Sequence, residues 1–268
     1  VAKALSILED LMSLIEEILK EKRAWVSVTP KSQMRPNGME IRNTLVALHR
    51  PFGKPLRLIA ENKFQSPSGG QLSKAMSAGQ RALCYERAGA SMVSVLTDKK
   101  FFGGSFFDLS HSHNAVRIPV LCKDFIVDEL QIAEAHGHGA DAVLLIARCL
   151  PGRDLRRLAT AVRKRGMTPF FEITTEEDLQ RVMDVNPQII GVNARDLDTL
   201  EMDTERAARV LAKIPGGVVA VHLSGLKTPE DVIRIARTRA DAALIGESLM
   251  RQPDPTKLLQ SLVTASRG

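Results

Sequence analysis

Eight short apolar runs, segments of helical period between them and polar residues at the run ends predict an α/β chain closed as a single (β/α)8 TIM barrel. The runs are nearly continuous in Val, Ile, Leu or Phe, as parallel strands covered by helices must be. A doubly wound open sheet would carry a G-x-G-x-x-G turn opening a helix after a strand, and no run here is followed by one.

The chain opens with apolar residues at positions 5, 8, 11, 12, 15 and 18, which predicts a helix over residues 5–18. It belongs to an N-terminal helical extension, residues 1–50, expected to pack on a barrel of residues 51–268. The strands are predicted over 56–63, 91–98, 119–125, 142–147, 168–174, 189–194, 218–223 and 242–247. Residues 130–138, 155–165, 176–185, 204–214 and 229–237 have the spacing of one-faced helices.

The first run ends in Ala60-Glu61-Asn62-Lys63-Phe64-Gln65-Ser66-Pro67-Ser68. Residues i and i+2 of a strand share a face, so Glu61 and Lys63 project together. The Ser-Pro-Ser-Gly-Gly turn that follows adds hydroxyls and backbone amides beside them. A structural ion pair would look the same in isolation; the recurrence of polar tips is what points to a site. Function in such a barrel gathers where the strands end. There this chain places Glu61, Lys63, Thr97, Lys123, Glu172, Asn193 and Arg195, then Ser224-Gly225 and Gly246-Glu247-Ser248. Two lysines, two glutamates, an asparagine and an arginine on one rim suit acid–base chemistry on an anionic substrate. The last two tips are where these barrels commonly cradle phosphate with backbone N–H groups.

Seven motifs in order carry a resemblance. They are Ala60-Glu61-x-Lys63-x-x-Ser66-Pro67-Ser68, Ser94-Val95-Leu96-Thr97 with Phe102-Gly103-Gly104-Ser105, and Lys123-Asp124-Phe125 with Gln131-Ile132. Asp141-Ala142-Val143-Leu144-Leu145-Ile146, Gly191-Val192-Asn193-Ala194-Arg195-Asp196-Leu197, Ser224-Gly225 and Ile245-Gly246-Glu247-Ser248-Leu249-Met250-Arg251 complete them. Over about residues 56–255 the chain resembles the indole-3-glycerol-phosphate synthases of tryptophan biosynthesis, lyases that also carry an extra N-terminal helix. The resemblance implies ring closure, decarboxylation and dehydration of 1-(2-carboxyphenylamino)-1-deoxyribulose 5-phosphate, with no cofactor and no metal. It implies that Lys123 is the general acid of ring closure and that Glu172, Glu61 and Lys63 handle later proton transfers, with the division of acid and base among these three left open. Asn193, Arg195 and Ser66 would orient the substrate's carboxylate and hydroxyls. Lys63, Ser224, Gly225, Gly246 and the Glu247 amide would form the phosphate end. Phe102, Phe125, Leu144, Ile146 and Leu197 would wall the aromatic ring. Exclusion of water by that wall is expected to move the lysine and glutamate pKa values toward neutrality.

Two departures stand out. The family's usual Ala-Glu-Ser-Gly reads His222-Leu223-Ser224-Gly225, so a pocket carboxylate that helps orient the lysines is replaced by Leu223. The basic residue usual after Lys63 is Phe64. Both are expected to make the mouth more apolar. Other readings therefore stay open: a barrel of this kind repurposed to take a proton from a small aromatic substrate with a carboxylate base, or a phospho-ligand binder without turnover. Phosphoribosylanthranilate isomerase, another barrel, would need a Cys/Asp pair where this chain has Glu61/Lys63 and Asn193. Retained Lys123 and Glu172 argue against the binder, and Leu223 argues for it.

Composition agrees with one cytoplasmic catalytic domain. The chain has 268 residues, 44% of them hydrophobic, within the range of a single large α/β core. No apolar stretch is long enough to span a bilayer, and Glu9, Asp10, Glu16 and Glu17 inside the opening pattern argue against a secretory signal. Cys84, Cys122 and Cys149 lack C-x-x-C spacing and are expected in element interiors as reduced thiols. The formal net charge of +6 is densest from Arg153 to Arg165, where basic residues alternate with Leu155, Leu158 and Val162 as on a solvated helix face. With one Trp and one Tyr there is no stacking platform for nucleic acid. His111-Ser112-His113, expected in a loop, and His136-Gly137-His138, at a helix end, lack zinc-site spacing. The expected partner is a small phosphorylated substrate, with no nucleic acid and no membrane, in a monomer or weak homo-oligomer.

Overall fold

The barrel strands are buried on both faces, one side against the interior and the other against the helices, and the sheet closes on itself. The structure, a computed structural model, describes residues 13–29, 40–67, 70–196 and 199–267. Strand β1 (Arg57–Asn62) leads to a small antiparallel hairpin, β2 (Gln65–Ser66) with β3 (Gly70–Gln71). The remaining barrel strands are β4 (Met92–Leu96), β5 (Val120–Lys123), β6 (Ala142–Ile146), β7 (Thr168–Ile173), β8 (Ile189–Asn193), β9 (Val219–Leu223) and β10 (Ala242–Ile245). Each pairs in parallel with its chain neighbours, and β10 closes on β1. All eight lie inside the predicted runs.

Helices α1 (Leu14–Val28) and α2 (Thr44–Leu48) precede the barrel. The outer layer holds α3 (Ala78–Ala88), α4 (Phe106–Ala115), α5 (Glu129–Gly137), α6 (Gly152–Lys164), α7 (Glu176–Met183), α8 (Thr204–Ala212) and α9 (Pro229–Ala236). The one-turn α10 (Glu247–Met250) and then α11 (Thr256–Ala265) follow β10. Capping boxes start α1, α3, α5, α7 and α9; in α5, Asp128 accepts from the helix backbone while Gln131 reaches back to the cap. Reciprocal capping satisfies backbone donors that a helix start leaves open, so each helix begins at a fixed point beyond its strand.

Side chains of β9 show the division of the core. Val219, Val221 and Leu223 pack inside the barrel with Ile59, Met92, Leu121 and Phe170, whereas Ala220 belongs to the layer between strands and helices. Full burial of one such Leu or Phe contributes roughly 1.5–3 kcal/mol. Ile15, Ile18 and Leu19 of α1 and Leu48 of α2 join the interior cluster, so these two helices add side chains to the barrel's own core.

Several local expectations change. The described N-terminal helix begins after the Ser13 cap and runs to Val28, so the predicted span 5–18 straddles its start, and residues 1–12 lie outside the described residues. His111 and His113 sit within α4 rather than in a loop, because Leu109, Ser112 and His113 are buried on its inner face. Cys149 ends a 3-10 turn, Ala147–Cys149, rather than lying inside an element. On α6 the apolar Leu155, Leu158 and Val162 are buried, and Arg153, Arg156 and Arg157 face solvent. No helix among the described residues is long and apolar enough to cross a membrane.

Candidate active site

The strand ends meet in a pocket with about 1180 Å³ of empty space, part of it open to solvent. Glu61 enters it from β1. The next residue, Asn62, points the other way and donates to the Ala78 carbonyl and the Ser112 hydroxyl, which fixes the strand end. Lys63 Nζ lies 2.8 Å from Glu61 Oε1, and Lys123 Nζ, from the last residue of β5, lies 3.6 Å from Glu61 Oε2. One carboxylate, 2% exposed, thus holds two ammonium groups.

That pairing reverses an expectation. Burial pushes the Glu61 carboxyl up, but Lys63 and Lys123 outweigh it and hold the group below the usual carboxylate range. Burial pulls the Lys123 ammonium down, yet Glu61 and Glu172 together hold it above its ordinary value. The pKa values of these two residues move away from neutrality because the charges are buried as partners rather than alone.

Across the mouth, Asn193 at the end of β8 donates from Nδ2 to Glu172 Oε1 at 3.0 Å. Glu172 Oε2 is buried without a hydrogen-bond partner among the described residues. Asn193 Oδ1 accepts from the Ser224 hydroxyl at 2.9 Å and from the Arg195 backbone at 3.0 Å, which orients the amide. The Arg195 guanidinium donates to the Leu200 carbonyl and reaches the pocket.

The wall is aromatic on one side, where the Phe102 and Phe125 rings stack with centroids 6.2 Å apart. Leu144, Ile146, Leu223 and Leu244 supply apolar surface within the pocket. Leu223 presses on the space left by Gly191, where a Cβ would come within 2.7 Å of Leu223 Cδ1 and of Phe170 Cε1. At the other end Lys63, Ser66, Ser224, Gly225, Gly246 and Glu247 line the pocket. Ser224 and Gly225 have φ of 69° and 84°, both in the left-handed region. Gly246 is required by close approach: a Cβ there would lie 2.4 Å from Glu61 Oε1. The Glu247 carboxylate is held below its ordinary range by its bond to Arg251, with further help from Lys63 and Arg195.

Leu197 lies outside the described residues. Apart from Thr97, every other predicted site residue lines the pocket. Thr97 does not: it donates to Asp124, and Leu96 faces the cavity instead. Phe64 sits half-buried beside Gly103 and outside the pocket, so of the two departures Leu223 alone makes the mouth more apolar. Sequence reasoning missed the roof, formed by Leu14, Ile15 and Ile18 of α1. It also missed Lys22, which bridges Asp98 at 2.8 Å and Asp124 at 2.7 Å. Asp98 in turn accepts from the Phe101 backbone and Asp124 from the Phe125 backbone. Lys22 therefore ties α1 to both segments that carry the aromatic wall. The apolar spacing at 15 and 18 was visible, but nothing in it told which surface that face would cover.

A family model described as indole-3-glycerol phosphate synthase matches residues 15–262. The chain belongs to the indole-3-glycerol phosphate synthase family. It is similar to indole-3-glycerol phosphate synthase 1 of Streptomyces coelicolor, 38% identical over 97% of this chain and 96% of the relative. The indole-3-glycerol phosphate synthase of a Parafrankia species is 40% identical over 95% and 96% of the two chains. Solved structures share the barrel at low identity. N-acetylmannosamine-6-phosphate 2-epimerase from Clostridium perfringens aligns with a TM-score of 0.61 at 13% identity, over 83% of this chain and 96% of that one. For 3-hexulose-6-phosphate synthase from Salmonella typhimurium the TM-score is 0.63 at 10% identity, over 78% and 98%. Those two likenesses concern the fold alone.

Proposed function

We propose that the chain closes the indole ring of 1-(2-carboxyphenylamino)-1-deoxyribulose 5-phosphate, giving indole-3-glycerol phosphate, carbon dioxide and water. The observation that carries this reading is that Lys123, bridged to Glu61, shares one rim with Glu172, whose Oε2 is buried without a hydrogen-bond partner among the described residues. The ring carbon bearing the carboxylate attacks the ribulose carbonyl, and Lys123 gives its proton to the carbonyl oxygen as the carbon–carbon bond forms. Carbon dioxide leaves, and its bonding electrons restore the aromatic ring. The new hydroxyl then departs as water with a proton from Lys63, while Glu172 takes the proton from the adjacent carbon.

Glu61 remains a carboxylate throughout and keeps both ammonium groups aimed at the mouth. The stacked Phe102 and Phe125 suit the anthranilate ring, Arg195 suits its carboxylate, and the Ser224-Gly225 and Gly246-Glu247 amides suit the phosphate. A cytoplasmic setting fits a substrate of this kind. Incubation with that substrate, followed by mass spectrometry of the product and collection of carbon dioxide, tests the proposal.

The packing of Leu223 against Gly191 and Phe170 favours a second reading, the same rim acting on a smaller aromatic carbon acid. Inhibition by inorganic phosphate separates the two: it competes with the phosphorylated substrate and leaves a substrate that lacks phosphate unaffected.

A further inference from the structure

We infer that His222, on the face of β9 turned away from the pocket, is a positioning residue that pins the Ser224 turn and through it aims Asn193 and Glu172. The inference rests on the reading of that rim as the reacting site. His222 is 2% exposed and stands between Val221 and Leu223, whose side chains face the barrel interior. Its Nε2 lies 3.0 Å from the Ser224 carbonyl oxygen. A carbonyl can accept but not donate, so Nε2 carries the proton. Nδ1 is buried without a partner among the described residues, as suits its unprotonated lone pair in a neutral ring. Burial pulls the imidazole down to about 4, against the Ser224 bond and Asp231 and together with Arg234 of α9.

What this bond restrains is unusual. Ser224 has φ of 69°, a left-handed conformation that an L-residue adopts at a cost and keeps only when its surroundings impose it. From that conformation its hydroxyl donates to Asn193 Oδ1 at 2.9 Å, and Asn193 Nδ2 donates to Glu172 Oε1 at 3.0 Å. A continuous chain therefore runs from a histidine behind the wall to the carboxylate in front of it. His222 thus supplies a donor that steadies the site from behind the wall.

The test compares His222→Gln, whose Nε2 can reach the Ser224 carbonyl, with His222→Leu and the shorter His222→Asn, which cannot. The expected result is a fall in kcat of roughly 10- to 100-fold for Leu and Asn, the size of loss that small misplacements of reacting groups produce. Gln should recover most of it. With Ser224→Ala already present, His222→Leu should cost nothing further, because the chain is already cut at the hydroxyl. Should Leu fail to fold, the Gln–Asn pair carries the same comparison. Crystal structures of the Asn and Gln variants decide the matter independently of turnover: Ser224 leaves the left-handed region and Asn193 turns from Glu172 in Asn but not in Gln. Wild-type kcat in His222→Asn, or Ser224 and Asn193 unmoved there, overturns the inference. Absence of product from the wild-type protein would instead overturn the proposed reaction and leave the structural comparison to decide the role of His222.

Discussion

Glu61 is shared between two lysines, with Oε1 2.8 Å from Lys63 Nζ and Oε2 3.6 Å from Lys123 Nζ. The shared carboxylate is the main influence that holds the Lys123 ammonium above its ordinary pKa against the downward pull of burial. Replacing Glu61 by Gln removes the charge and leaves the shape. Lys123 then loses its main upward influence, so the alkaline limb of the pH–rate profile moves to lower pH. Stability responds with its own sign. The folded-state pKa of Glu61 lies below its ordinary value, so its contribution is present above the unfolded carboxylate pKa and fades as pH falls through the folded value. Acid titrations of the melting temperature should therefore be shallower in Glu61→Gln than in the wild type.

Gly246 tests the same carboxylate from the other side. An added methyl would sit 2.4 Å from Glu61 Oε1, so Gly246→Ala must displace the group that holds both lysines. Activity should fall by roughly 100-fold, as for small misplacements of reacting groups. Gly152→Ala is the control, since a Cβ there meets nothing within 4 Å. Kinetics and melting of the two variants should separate cleanly.

Lys22 is the one cation of a buried three-residue ionic cluster, with Asp98 and Asp124 each 2% exposed in their side chains. Lys22→Met leaves two buried carboxylates without their counter-ion, at a cost of about 3–5 kcal/mol. Lys100 also joins α1 to the barrel, through Glu17 and Glu21, but in the open. Lys100→Met should leave the unfolding midpoint where it is. Urea denaturation of both variants checks the contrast.

Leu223→Glu places a third carboxylate beside Glu61 and Glu172 in the pocket. A further negative charge in the pocket favours the charged form of Lys123, so the alkaline limb moves to higher pH. The leucine packs against Phe170 and fills the space left by Gly191, and the new carboxylate must find a partner there. The variant should therefore melt earlier than the wild type while its limb shifts. An unmoved limb in a folded variant would mean that position 223 does not act on the lysines.

The strands were legible because burial on both faces leaves a continuous apolar signature, and closing the barrel brings all their ends together. Glu61, Lys123, Glu172 and Asn193 could therefore be grouped without any knowledge of distances. Lys22 could not, because its acidic partners are remote in sequence and a lysine on a helix ordinarily faces water. α4 was hidden for a related reason: its Ser, His and Asn residues give a weak helical pattern, and burial of Leu109, Ser112 and His113 holds it in place. The direction of the pKa shifts was out of reach as well. Spacing showed that Glu61 and Lys63 share a face, but only the observed bridging shows that pairing outweighs burial.

The most direct measurement is a single-turnover experiment, with enzyme in excess over 1-(2-carboxyphenylamino)-1-deoxyribulose 5-phosphate and indole fluorescence followed in wild type and Lys123→Ala. Fluorescence should rise in the wild type, at a rate about 10² to 10⁴ higher than in a Lys123→Ala variant that melts normally. A wild type that stays dark would rule out the ring closure, and a Lys123→Ala variant as fast as the wild type would rule out Lys123 as its general acid.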